Sequence, residues 1–150
     1  MEYTADNLSK TTDKLAHEIK ISTNIGDYLT ENKEHMLAGT LSGHLNLLLT
    51  QKNRSRADVV HDSLLDRSYV YQIFSGERIP SRDKLIAIAF GLQLTVDETQ
   101  KLLKLSGNRE LYARDERDAV ILFSLHKKKN IAQTNDLLFS RNLLILGSFK

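Results

Sequence analysis

The sequence predicts an all-α protein, on three observations. Proline, the main breaker of helices, occurs once in 150 residues, at Pro80. Leucine is abundant, and apolar residues recur at helical spacing, as in Leu41, Leu45, Leu48 and Leu49 at i, i+4, i+7 and i+8. A residue able to accept an orphan N–H stands ahead of most of these apolar segments: Asn24, Ser55, Asp66, Ser81, Thr95 and Asn130.

Composition narrows the class further. A hydrophobic content of 41% is enough to build a core, and the length suits one domain with appendages. Cysteine is absent, which excludes disulfides and thiolate metal sites and leads us to expect a cytoplasmic protein. No apolar run approaches the roughly 20 residues that span a bilayer, so no membrane partner is expected. The opening stretch MEYTADNLSKTTDK lacks the apolar core of a signal peptide. Net charge is +2, so a nucleic-acid surface would have to come from local clustering.

Residues 1–10 are polar and are expected to fray. From Thr11 a helix is expected, with Leu15, Ile19 and Ile21 as its apolar edge and Lys14 and Glu18 outside. Ser22-Thr23-Asn24 breaks it, and Asn24 can cap a short helix through Tyr28 and Leu29. Met36-Leu37-Ala38 leads to Gly39. This segment, 1–39, reads as a helical arm for packing or dimerisation, with a ligand- or partner-binding role as the alternative.

The main domain, 40–108, starts near Leu41. Gln51, Lys52 and Asn53 close its first helix. Ser55 caps the second, on which Val59, Val60 and Ser63 share a face. Leu64 and Leu65 fall where the chain must turn, and Asp66 caps a third helix, expected at about 67–75. On it Val70, Ile73 and Phe74 form the inward stripe, at i, i+3 and i+4. Arg67, Ser68, Tyr71 and Gln72 are left facing outward, and Ser75-Gly76 ends the helix. Ser81 caps the fourth. Leu85–Leu92 is apolar nearly all round and should be the most buried helix. Thr95 and Glu98 form a capping box for the fifth, which Leu102, Leu103 and Leu105 bury and Gly107 stops. The remainder, 109–150, reads as a helical pair. Its first helix runs from about Glu116 to Lys127, with Ala119, Val120, Phe123 and Leu125 as buried candidates and Asp115–Asp118 as an exposed start. Its second follows Asn130 and carries Ile131, Thr134, Leu137 and Leu138. Leu143–Leu146 fits a strand, a helix end or a docking tail.

From Ser55 to Glu98 the chain resembles the helix-turn-helix of phage-repressor-like (XRE-family) DNA-binding proteins. The resemblance rests on Gln72-Ile73-Phe74-Ser75-Gly76-Glu77-Arg78-Ile79-Pro80-Ser81, similar to the family's end of the recognition helix and its G-x-x-x-P-S link. It continues in the run Leu85–Leu92, then in Asp97-Glu98 and Leu102-Leu103. It covers roughly half the chain and implies a five-helix, lambda repressor-like fold. It further implies double-stranded DNA as partner, read in the major groove by the helix at about 67–75, and a homodimer on paired half-sites. One departure stands out. Many members carry Gly at the turn position held here by Leu64, and positive φ costs Leu more than Gly, so a distorted turn is expected there.

The resemblance implies that Arg67, Ser68 and Gln72 read base edges: Arg forking onto guanine, Gln onto adenine, Ser onto a base or phosphate. Arg56 matches a position that contacts the backbone or an edge base, and Tyr69 and Tyr71 could bond a phosphate or touch a thymine methyl. Lys52, Arg54, Arg78, Arg82 and Lys84 flank this surface as phosphate contacts. Asp58, Asp62, Asp66, Glu77 and Asp83 dilute the patch. With Leu64, they motivate the alternative of a helical module whose partner is another protein, in which Tyr69 and Tyr71 would suit an interface. The five histidines show no metal-ligand spacing. Nothing resembles a nucleophile with its base, a phosphate loop or a catalytic carboxylate pair, so neither an enzyme nor a cofactor is expected.

Overall fold

A computed structural model describes residues 10–147; the fraying expected of residues 1–9 lies outside them. The described chain is all-helical, with no strand among its residues: α1 (Thr12–Ile21), α2 (Ile25–Glu31), a 3-10 turn (Lys33–His35), α3 (Leu37–Gln51), α4 (Arg56–Ser63), α5 (Arg67–Ser75), α6 (Arg82–Gly91), α7 (Val96–Leu105), α8 (Glu116–His126) and α9 (Ile131–Ser140). None of the described helices is long and apolar enough to cross a membrane.

The starts of these helices follow from local chemistry. Side chains of Thr11, Asn24, Ser55, Asp66, Ser81, Thr95, Asp115 and Asn130 each accept a backbone N–H of the first turn they precede. Three of these are full capping boxes, Ser55 with Asp58, Thr95 with Glu98 and Asn130 with Gln133. One start differs from expectation. Helix α3 begins at Leu37, not near Leu41, and runs through Gly39. A Cβ at Gly39 would lie 2.7 Å from the Lys33 carbonyl oxygen, so glycine lets the helix cross closely over the 3-10 turn.

Helix α1 buries none of its residues. A polar network ties it to the arm. The Lys10 ammonium donates to Glu18 at 2.9 Å and to Asn32 Oδ1 at 2.7 Å, and the buried Asn32 donates to the Tyr28 carbonyl at 3.1 Å.

The core is one cluster. It joins Leu41, Leu45 and Leu48 of α3, Val59 of α4, Val70, Ile73 and Phe74 of α5, and Leu102 and Leu103 of α7 around α6. Every residue of Leu85–Gly91 is buried, as the all-round apolar pattern predicts. Ile121, Leu125, Ile131, Leu138 and Leu146 of the C-terminal segment belong to the same cluster, so the last helices pack on the domain before them.

Helix α8 meets α6 through polar groups, and this corrects the expected burial of α8. Its buried residues are Asp118, Ile121, Ser124 and Leu125, while Ala119 and Val120 are half-buried and Phe123 is 49% exposed. The reason is Asp118, expected at an exposed helix start. Arg82 of α6 donates to both its oxygens, at 2.9 and 3.3 Å, and the Tyr112 N–H donates to it at 3.0 Å. Burial acts to raise the Asp118 pKa, but the Arg82 and Tyr112 hydrogen bonds and the Arg82 charge outweigh it, and the carboxyl titrates below its ordinary value. Beside it, Arg117 grips Asp83 at 2.8 and 3.0 Å. The two Arg-Asp dipeptides, Arg82-Asp83 and Arg117-Asp118, thus pair crosswise between two helix starts.

Leu143–Leu146 is neither helix nor strand but a docked tail. Leu146 is buried, and the Asn135 amide both donates to its carbonyl (2.9 Å) and accepts its N–H (2.7 Å). Gly147, at φ +67°, follows. A Cβ there would lie 2.5 Å from the Ser63 carbonyl oxygen and 2.9 Å from Leu64 Cβ, so only glycine lets the tail settle on the turn between α4 and α5.

Candidate nucleic-acid interface

The pair α4 and α5 sets the geometry of this surface. Ser55 and Asp58 fix the start of α4, and its Val59 and Ser63 point into the core. In the turn that follows, Leu64 takes the left-handed conformation, φ 61° and ψ 19°, and is 39% exposed. A side chain in that region costs about 1–2 kcal/mol, the strain expected where glycine is replaced. The buried Ser63 hydroxyl accepts the Leu65 N–H at 3.2 Å. Asp66 then caps α5 through the Tyr69 N–H. Burial of Val70, Ile73 and Phe74 fixes the rotation of α5 about its own axis. Arg67 and Ser68 are therefore exposed, and Tyr71 and Gln72 half-exposed, on its outer face.

Arginines from two helices converge on Tyr71. The Arg56 guanidinium, from α4, lies 4.7 Å from the centre of its ring. The Arg67 guanidinium lies 5.7 Å away and donates to the Tyr71 hydroxyl at 3.2 Å. Stacked guanidiniums of this kind lose little freedom on contacting a ligand, because the ring already restricts them. A second cluster forms on Tyr69. Lys84 Nζ lies 4.3 Å and the Arg78 guanidinium 5.3 Å from its ring centre. Tyr69 is half-buried. Burial raises its pKa, against the opposing effects of the Ser81 N–H on its oxygen and of the Arg78 charge. Arg78 also donates through Nε to Gln72 Oε1 at 2.8 Å.

Three of the expected flanking cations are engaged elsewhere. Arg82 is the main correction. Besides Asp118, its guanidinium donates to the Arg109 carbonyl at 2.7 Å and the Glu110 carbonyl at 3.0 Å, so four of its five N–H groups are engaged and it is a structural clamp, not a phosphate contact of this face. Arg54 binds Asp62 and the Gly91 carbonyl. Lys52 pairs with Glu98 at 2.6 Å. The face thus retains Arg56, Arg67, Arg78 and Lys84, with Ser68 and Gln72 between them. The acids Asp66 and Glu77 also line its groove.

The pairing of Gln72 with Arg78 was not legible from residue types, and it changes what Gln72 offers. Its amide oxygen is occupied, and its Nε2 hydrogens remain. Arginine and lysine have donors only. The four cations thus give the outer face a majority of charged donors over its two acids, Asp66 and Glu77, which suits ligands that present acceptors and negative charge. Among the described residues, no group of three or more His, Asp or Glu side chains could hold a metal ion. No family model, curated protein or solved structure matches the chain.

Proposed function

We propose that the protein is a sequence-specific, DNA-binding transcriptional regulator of the XRE class, with a lambda repressor-like five-helix domain spanning α3 to α7. Helix α5 enters the major groove. Arg67, Ser68 and Gln72 meet base edges, and Arg56, Arg78 and Lys84 meet phosphates. The single observation that carries this reading is the convergence of Arg56, Arg67, Arg78 and Lys84 on the tyrosines of α5, beside the outward Ser68 and Gln72. Phosphate oxygens and the O6 and N7 of guanine are acceptors, and such a face satisfies them. The short left-handed turn at Leu64, joining α4 directly to α5, supports it further, since groove-reading helix pairs are joined by such tight turns. A homodimer fits paired half-sites. The test is selection of bound sequences from a random duplex pool by the protein and by an Arg67→Ala/Gln72→Ala variant. An enriched motif that vanishes in the folded variant supports the reading; no enrichment by the folded parent refutes it.

A second reading has its own observation. Ile19, Ile21 and Ile25 of the α1–α2 arm are 52%, 67% and 64% exposed. Such a patch suits a helical module that binds another protein. Binding to mixed DNA separates the two readings, because only a DNA-binding protein loses affinity steeply with salt.

A further inference from the structure

A second concavity, sharing no residue with the α5 groove, opens where the end of α6 and the start of α7 face the turn between α8 and α9. It is a cleft of about 1040 Å³, and Phe90, Leu94, Val96 and Leu125 give it an apolar floor. Lys128 and Lys129 stand in its lining with Asn130 beside them. We propose that this cleft binds a small amphipathic anion, an alkyl or aryl carboxylate, with its apolar body on the floor and its charged head between Lys128 and Lys129.

Size, charge and backbone all favour such an occupant. Small-molecule sites run to about 300–1,000 Å³ and combine an apolar lining with a few placed polar groups. At about 1040 Å³ the cleft lies just above that range, too small for a duplex or a folded partner. The lining's other ammonium, Lys52, is neutralised by Glu98, and its Asp62 by Arg54. Lys128 and Lys129 make no ion pair among the described residues. The carboxylate left over is Asp97, in the first turn of α7, where the positive end of the helix offsets it. Two ammonium groups thus face one already compensated acid. The backbone adds a separate indication. Gln93 and Lys128, both in the lining, sit at φ +58° and +57°. These are helix-end positions where glycine is cheapest, yet both carry long polar side chains.

The site stands independently of DNA binding, and its test requires no DNA. Full-length protein labelled with ¹⁵N is titrated with octanoate, octanol or inorganic phosphate while amide resonances are followed. Octanoate should shift Leu94, Leu125, Lys128 and Lys129 saturably. Octanol, lacking the charge, and phosphate, lacking the apolar body, should bind about tenfold or more weakly. Lys128→Gln/Lys129→Gln, both outside the core, should keep the folded spectrum and weaken octanoate by a similar factor. No saturable shift with octanoate would overturn the proposal. So would octanol binding as tightly as octanoate, phosphate alone saturating the same residues, or an unchanged affinity in the double variant.

Discussion

The proposed DNA binding would have a salt dependence that can be worked from the structure, and it separates the geometry from the residue pattern. Each phosphate neutralised on B-form DNA contributes about −0.9 to the slope of log affinity against log salt. Counting every basic residue in or beside the helix-turn-helix gives seven: Lys52, Arg54, Arg56, Arg67, Arg78, Arg82 and Lys84. That predicts a slope of about −6.3 per protomer. In the structure Lys52, Arg54 and Arg82 are bound to Glu98, Asp62 and Asp118. Four cations remain, for a slope of about −3.6 per protomer. Single variants make the comparison independent of how many protomers bind. Lys84→Gln removes a cation of the face, and the slope should become shallower by about 0.9 per protomer. Lys52→Gln removes the same charge from the chain and breaks only a surface pair worth about 0–1 kcal/mol, so the fold survives. Its slope should equal that of the parent. The assay is fluorescence anisotropy of a labelled mixed-sequence duplex between about 50 and 200 mM salt, with stoichiometry from sedimentation. Equal changes in the two variants would refute the assignment of these cations. A flat response of the parent would refute DNA binding itself.

Four further outcomes follow from the structure. Asp118→Ala leaves the half-buried Arg82 without its charge partner and should cost about 3 kcal/mol in urea denaturation, the low end for a broken buried pair. Because the folded-state pKa of Asp118 is depressed, its contribution is present at neutral pH and is lost as pH falls through that folded value, so Asp118→Asn should flatten the acid limb of the stability profile. Arg78→Ala releases Gln72 Oε1, and sequence selection should then shift toward adenine at one position, where the parent prefers a base presenting acceptors; an unchanged motif would refute the Gln72–Arg78 assignment. Ser124 Oγ is buried without a hydrogen-bond partner, so Ser124→Ala should hold or raise the melting temperature, and a clear loss of stability would show a partner that the contacts do not reveal.

Helix starts were legible because capping is local. Asn24, Ser55, Asp66, Ser81, Thr95 and Asn130 each act on an N–H two or three residues away, within one window of sequence. The burial of α6 was legible for the same reason, since all-round apolarity leaves a helix no wet face. What stayed hidden depended on partners far along the chain. Arg82 reads as one more basic residue until Asp118, 36 positions later, is brought to it. The carboxylate on the inner face of α8 then misleads any reading by hydrophobicity, and Phe123 is assigned inside where it lies half in solvent. At the candidate interface, outward directions were legible from the Val70, Ile73 and Phe74 stripe. Which of those side chains are already engaged was not, because the charge of Arg82 or the oxygen of Gln72 carries no sequence mark of its occupancy.

The glycine seated on the α4–α5 turn has a consequence for the order of events in biosynthesis. Gly147 is made 84 residues after Ser63, whose carbonyl it approaches. At usual elongation rates the interval is roughly 4–17 s. Throughout it, the ribosome holds a nascent chain whose turn exists but whose cover does not. The Ser63 carbonyl and Leu64 lack the Gly147 contact during that time. The turn between α4 and α5 is therefore completed only by a residue translated long after it.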